Sequence, residues 1–244
     1  MTSKTQVVER AKAAVALMRT SALARSVKRD RLTFLSGSKL LRLERCLDES
    51  LVSTEDGDYL EFGVALGGSG ILIAHAANRR LSARFIGFDV FGMIPEPTSH
   101  KDDSESKNRY KEIAQGAATG IRGDQYYGYR SDLRNEVEAS FKRHGLIVDG
   151  ERVLLVKGLF EDTWPSASVS KVAFCHIDCD WYDPMRYCLE HIAPLLVPRG
   201  QILLDDYHAW GGSRTAADEF LAANPAFVLE DGPSVIIRRR EDCD

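Results

Sequence analysis

Over roughly the first fifty residues apolar positions recur at helical spacing, and beyond them they gather into short runs with the character of buried strands. Residues 5–30 read as one amphipathic helix with a basic outer face, its apolar patch interrupted by Arg19. The segment SGSKLLRLERCLDES reads as a second helix, with leucines at 40, 41, 43 and 47 and a cap at Ser36 or Ser38. Then the period changes. YLEFGV (59–64), RFIGFDVF (84–91), RVLLVKGLF (152–160), VAFCHID (172–178) and QILLDDY (201–207) are strand-like runs, with helix-sized pieces such as ILIAHAANRR between them. This alternation predicts a mostly parallel α/β sheet covered on both faces. AFVLEDG and SVIIRRR, joined by a turn at Asp231, Gly232 and Pro233, predict an antiparallel hairpin closing one edge.

Five parallel strands plus a terminal hairpin is the element order of the class I methyltransferase fold, a Rossmann-like doubly wound sheet. Such sheets bind ligands at the carboxyl ends of their strands, near the point where strand order reverses. Residues 1–50 are then an N-terminal helical extension and residues 51–244 the sheet domain. One connection is too long for that plan: about 60 residues separate Phe91 from Arg152, whereas a crossover needs only roughly a dozen. The helix SDLRNEVEASFKRHG (131–145) supplies the crossover, which leaves an insertion at about 95–130, polar at first and then rich in Gly and Tyr. It is either a surface loop or a lid; a lid is expected, because long excursions beside strand tips often cover active sites. Tyr126, Tyr127 and Tyr129 are placed to stack on a flat or sugar-like ligand.

Composition narrows the partners. The formal net charge of -4 gives no reason to expect nucleic acid, and no segment approaches membrane-spanning length. Cysteines at 46, 175, 179, 188 and 243 form no CxxC pair, and their odd number suits reduced thiols in a soluble, cytoplasmic protein. The N-terminal stretch shows no cleavage-site pattern. Its apolar face suits packing on the domain or on a second copy, so a homodimer is expected.

Two groups of residues carry candidate chemistry. EFGVALGGSG places Gly63, Gly67 and Ser69 between a strand and a helix start, where free N–H groups favour an anionic group. The stretch has neither the GxGxxG spacing of dinucleotide sites nor the GK[ST] ending of a P-loop. Asp89, at the end of the next strand, is positioned to accept hydrogen bonds from a ribose, and Glu61 to meet an ammonium group. Together these features favour S-adenosylmethionine. The second group is acidic: Asp178 and Asp180 leave one strand and Asp205 and Asp206 end another. Adjacent parallel strands lie about 4.8 Å apart, so at least three carboxylates converge. Either they cap the following helices, or they hold a hard divalent cation such as Mg²⁺, Ca²⁺ or Mn²⁺. Asp183, before Pro184, reads as a helix start and His176 as a core histidine.

In order, YLEFGVALGGSG, GFDVFGMIPEP, VKGLFEDTWP and HIDCDWYDPMRYCLEHIAPLLVPRGQILLDDYHAWGGSRTAADEF resemble the TylF/MycF family of sugar O-methyltransferases, over roughly residues 32–240. The resemblance implies S-adenosylmethionine and a divalent metal, usually Mg²⁺, used to methylate a sugar hydroxyl of a glycosylated natural product in antibiotic biosynthesis. By position it implies Asp178, Asp205 and Asp206 as metal ligands, Asp180 as general base, and Gly63 and Asp89 in the cofactor site. The insertion after Pro97 departs from the family, so substrate identity does not transfer. Tyr126, Tyr127, Tyr207, His208 and Trp210 are candidates for the acceptor pocket. The alternatives are a catechol or phenol O-methyltransferase and a metal-dependent hydroxylase or hydrolase.

Overall fold

The single helix expected over residues 5–30 is two, α1 (Ser3–Met18) and α2 (Ala22–Arg29). The break comes from side chains that compete with the helix for its backbone partners. Thr20 returns its hydroxyl to the Leu17 carbonyl, and the extended Ser21 accepts the Ala24 N–H while giving its own N–H to Glu44. α3 (Gly37–Ser53) follows, capped by Ser36, whose hydroxyl accepts the Lys39 N–H. The structure is a computed structural model and describes residues 3–54 and 56–240; Cys243 lies outside them.

The strands are β1 (Asp58–Phe62), β2 (Phe85–Asp89), β3 (Val153–Lys157), β4 (Val172–Ile177), β5 (Leu196–Leu204), β6 (Phe227–Glu230) and β7 (Val235–Arg239). They form one seven-stranded sheet of order β3-β2-β1-β4-β5-β7-β6, with β7 antiparallel to both its neighbours and the rest parallel. This is the class I methyltransferase arrangement that the element order predicts. Every residue of β1, β2 and β4 is buried, because helices cover both faces and each strand must be apolar on both sides.

Side chains alternate between two cores at the strand period of two. Tyr59, Phe85, Phe174 and Leu203 point to a layer formed by α2, α3, α4 (Gly68–Ala77) and the crossover helix at 133–143. Leu60, Ile86, Cys175 and Ile202 point to the opposite layer, built from helices at 182–192 and 211–223. In chain order the remaining helices are α5 (Ser104–Ala114), α6 (Leu133–Arg143), α7 (Phe160–Thr163), α8 (Tyr182–Ile192) and α9 (Gly211–Ala223). The chain winds outward from β1 to β3 and returns to β4 beside β1. The carboxyl ends of β1 and β4 therefore flank the crevice where a ligand fits. No helix among the described residues is long and apolar enough to cross a membrane.

Candidate active site

A cavity of about 760 Å³ opens over these strand ends. At the β1 tip Gly63 has φ +92°, and a Cβ there would stand 1.8 Å from the Asp178 carbonyl oxygen. Only glycine allows the β1 and β4 tips to pass this closely. Asp89, at the β2 tip, accepts the Val64 and Ala65 N–H groups at 2.8 Å and the Phe91 N–H at 2.6 Å. Burial raises its pKa, and these three bonds oppose the shift. Gly63, Ala65 and Asp89 line the cavity.

Glu61, Gly67 and Ser69 stand behind that wall rather than on it. Glu61 is fully buried, with Oε1 3.1 Å from His176 Nδ1, so it faces the core histidine instead of the space where an ammonium group was expected. Burial raises its pKa and His176 opposes this. Gly67 caps α4 in a left-handed conformation against Val137 and Phe141. The first N–H of α4, from Gly68, is given to the Leu32 carbonyl. The N-terminal segment thus occupies part of the helix start that the sequence leaves open to an anion.

The acidic tips converge as predicted. Asp178, Asp205 and Asp206 each offer a carboxylate oxygen, all within 4.8 Å of one another, and all three residues line the cavity. Burial first, and then Asp205, push the Asp206 carboxyl up to about 6. Burial, followed by Asp206 and Asp205, holds Asp178 well above the usual carboxylate range. A cluster that raises its own proton affinities in this way is relieved by a cation. Asp180 shares the cavity but not the trio. It has φ 61° and donates its N–H to Asp206 Oδ2 at 2.9 Å; burial first, and then Asp206, hold its carboxyl well above the usual range, and the Trp210 side chain opposes this. Asp183 lies in the first turn of α8, and His176 is wholly buried.

One cation already stands at the trio. Lys39, from α3, places Nζ 2.7 Å from Asp205 Oδ2 and 3.1 Å from the Asp205 carbonyl oxygen. Burial disfavours its charge, yet Asp205, with Asp178 and Asp206 behind it, holds its pKa above the ordinary lysine value. Sequence spacing carries no sign of this partnership, since the two residues are 166 apart. Arg109, which lines the cavity from α5 and stacks over Tyr126, is equally invisible in the pattern.

The insertion is folded over the mouth. Pro95 accepts the Trp181 indole N–H, Asp102 the Tyr182 N–H and Asp103 the Gly211 N–H, while Lys101 pairs with Glu219 at 2.7 Å. Tyr126 and Tyr127 line the cavity with their rings 4.4 Å apart, and Phe34 meets Tyr127 edge-on. Tyr129 turns away, its hydroxyl donating to Ile113. Trp210 lines the cavity, but His208 and Tyr207 do not. The turn after β5 carries His208 to Asp231 at 2.9 Å and Tyr207 to Asp218 at 2.7 Å, both away from the acceptor space expected of them.

Comparison with known sequences is decisive for kinship. Residues 3–226 match the family model described as macrocin-O-methyltransferase (TylF). The chain belongs to the TylF family. It is 31% identical over 182 residues to an 8-demethyl-8-(2,3-dimethoxy-alpha-L-rhamnosyl)-tetracenomycin-C 4'-O-methyltransferase of Streptomyces olivaceus, covering 72% of this chain and 62% of that one. It is 29% identical over 180 residues to a mycinamicin III 3''-O-methyltransferase of Micromonospora griseorubida, covering 72% of this chain and 65% of the relative. Each match therefore spans less than two thirds of the relative's length. Among solved structures, the O-methyltransferase NovP superposes with a TM-score of 0.70 at 23% identity, over 86% of this chain and 83% of that one. The calicheamicin methyltransferase CalS11 gives 0.65 at 18%, over 99% and 95%. At these identities the likeness shows the fold, which this TylF-family chain shares.

Proposed function

We propose that this protein is an S-adenosylmethionine-dependent, divalent-metal-assisted O-methyltransferase that acts on a sugar hydroxyl of a glycosylated natural product in antibiotic biosynthesis. The observation that carries the reading is the convergence of the Asp178, Asp205 and Asp206 oxygens within 4.8 Å on the wall of the cavity that Gly63 and Asp89 also line. An all-oxygen donor set with neither His nor Cys fits Mg²⁺ or another hard divalent cation. The TylF membership and the two glycoside-methylating relatives support the acceptor class.

Asp178, Asp205 and Asp206 would hold the cation. Gly63, Ala65 and Asp89 would hold the cofactor, with Glu61, Gly67 and Ser69 supporting the glycine turn from behind. When bound, S-adenosylmethionine supplies the methyl group, and a divalent cation orients neighbouring hydroxyls and makes one more acidic. Asp180 takes the hydroxyl proton on a carboxylate oxygen that shares the cavity wall with Trp210. The insertion at 95–130 is the lid that excludes water, and its Tyr126 and Tyr127, with Trp210 from the turn before α9, form the acceptor-facing wall.

In this reading the enzyme works in the cytoplasm, where the free thiols of Cys46, Cys175, Cys179 and Cys188 persist. It works as a homodimer through the exposed Val7, Val8, Val15 and Met18 of α1. Calorimetry with S-adenosylhomocysteine is the first test and should show saturable one-site binding; absence of binding rejects the methyltransferase reading. Turnover of a demethylated glycoside with S-adenosylmethionine should require added Mg²⁺, and undiminished turnover in EDTA removes the metal from the mechanism.

A further inference from the structure

Lys39 and the metal are rivals for the same charge. The side chain reaches the trio from α3, outside the sheet, and makes two contacts with one residue, at 2.7 Å to Asp205 Oδ2 and 3.1 Å to its carbonyl oxygen. Asp205 Oδ1 meanwhile accepts the Ser234 hydroxyl at 3.0 Å. Both carboxylate oxygens of one proposed ligand are therefore engaged, one of them by a full positive charge. The pair is partly sheltered, with a quarter of the Lys39 side chain and a tenth of the Asp205 side chain exposed (25% and 10%), so water and salt screen it only in part. Lys39 also feels Asp178 and Asp206, so its charge acts on all three carboxylates rather than on Asp205 alone.

We propose that Lys39 is a built-in counter-cation of the metal site, which competes electrostatically with the divalent ion and keeps that ion weakly held and exchangeable. The proposal rests on the metal reading of the trio. Ionised, as ligands to a cation must be, three carboxylates and one ammonium leave two negative charges, which a divalent ion neutralises; without the ammonium the same oxygens present three. Two cations that share one set of carboxylates oppose each other's binding, and by linkage each must weaken the other to the same degree. Lys39 also supports the ion-free protein, because its charge offsets the repulsion among the three carboxylates. A lysine that merely propped Asp205 in a ligating pose would act in the opposite direction: its loss would loosen the ion.

The test is Mn²⁺ binding to ion-free protein, followed by the spin-resonance signal of unbound Mn²⁺, for the wild type, Lys39→Met, Lys39→Gln and Lys39→Arg. Both neutral variants should bind Mn²⁺ about tenfold more tightly or better, within the usual span of coupling between charged sites, and Lys39→Arg should match the wild type. Thermal melting gives a second readout: the neutral variants should melt below the wild type in EDTA and gain more from saturating Mg²⁺. Unchanged or weaker Mn²⁺ binding by both neutral variants, beside a wild type that binds, overturns the proposal alone. A wild type that takes up no Mn²⁺ overturns the metal reading, and this proposal with it.

Discussion

Asp178 and Asp180 stand two positions apart and meet different partners because the backbone changes hand between them. Asp178 still follows β4, its N–H bonded to the Phe62 carbonyl, so its side chain stays with the β5 tip. Asp180 has entered the left-handed region, at φ 61°, which aims its N–H at Asp206 and takes its carboxylate out of the trio. Asparagine tolerates that conformation and keeps the size and shape of the side chain, so Asp180→Asn isolates the proton-accepting role. S-adenosylhomocysteine and Mn²⁺ affinities should hold, while turnover falls by about 10²–10⁴-fold; near-normal turnover removes Asp180 as the base. Gly63 tests the geometry beneath. Alanine there combines a positive φ with a Cβ 1.8 Å from the Asp178 carbonyl oxygen, and the strain should cost on the order of 3 kcal/mol. Urea denaturation of Gly63→Ala should read that loss, and calorimetry should show weaker S-adenosylhomocysteine binding.

Among the elements, the strands were legible because their physics is local. A run that is apolar on both sides and ends in a charge can be read without knowing its neighbours, and β2, β4 and β5 announce themselves this way, while β1 runs into the glycine turn at Gly63. The break between α1 and α2 was not, because the apolar spacing continues through it and only the Thr20 and Ser21 side-chain bonds divide it. The insertion hid its order for a different reason. α5 is held by bonds to distant helices: Asp102 and Asp103 accept the Tyr182 and Gly211 N–H groups at the starts of α8 and α9, and no local pattern encodes either. Asp103 also caps α5 itself by accepting the Ser106 N–H at 2.8 Å. Asp103→Ala should therefore cost about 1–2 kcal/mol and leave the Gly211 N–H without that acceptor. Hydrogen exchange should quicken across residues 104–114, and KM for the glycoside should rise while S-adenosylhomocysteine binding stays as it was. Unchanged exchange in that segment shows that the anchoring lies elsewhere.

At the scale of the whole molecule the cavity is an assembly of distant pieces, from the N-terminal segment, the tips of the five parallel strands, the start of α8 and the insertion. The strand tips were predictable, because in a doubly wound sheet the carboxyl ends at the order reversal must meet. Phe34, Lys39 and Arg109 were not, because their places depend on how helices outside the sheet dock, which periodicity does not reveal. The same limit made His208 look like an acceptor contact, when the hairpin turn at Asp231 draws it away. The outer surface raises the last question of assembly. α1 packs its other side on α3, yet Val7, Val8, Val15 and Met18 share one side of the helix and are 62%, 51%, 53% and 70% exposed. Apolar side chains grouped like this are stabilised by burial against a matching surface, and a second copy of α1 provides one by two-fold symmetry. Light scattering should then give twice the 27.2 kDa chain mass. The double variant Val15→Asp, Met18→Asp should run as a monomer and bind S-adenosylhomocysteine with unaltered affinity, since α1 does not line the cavity. A monomeric wild type, or a double variant that stays dimeric, takes α1 out of the interface.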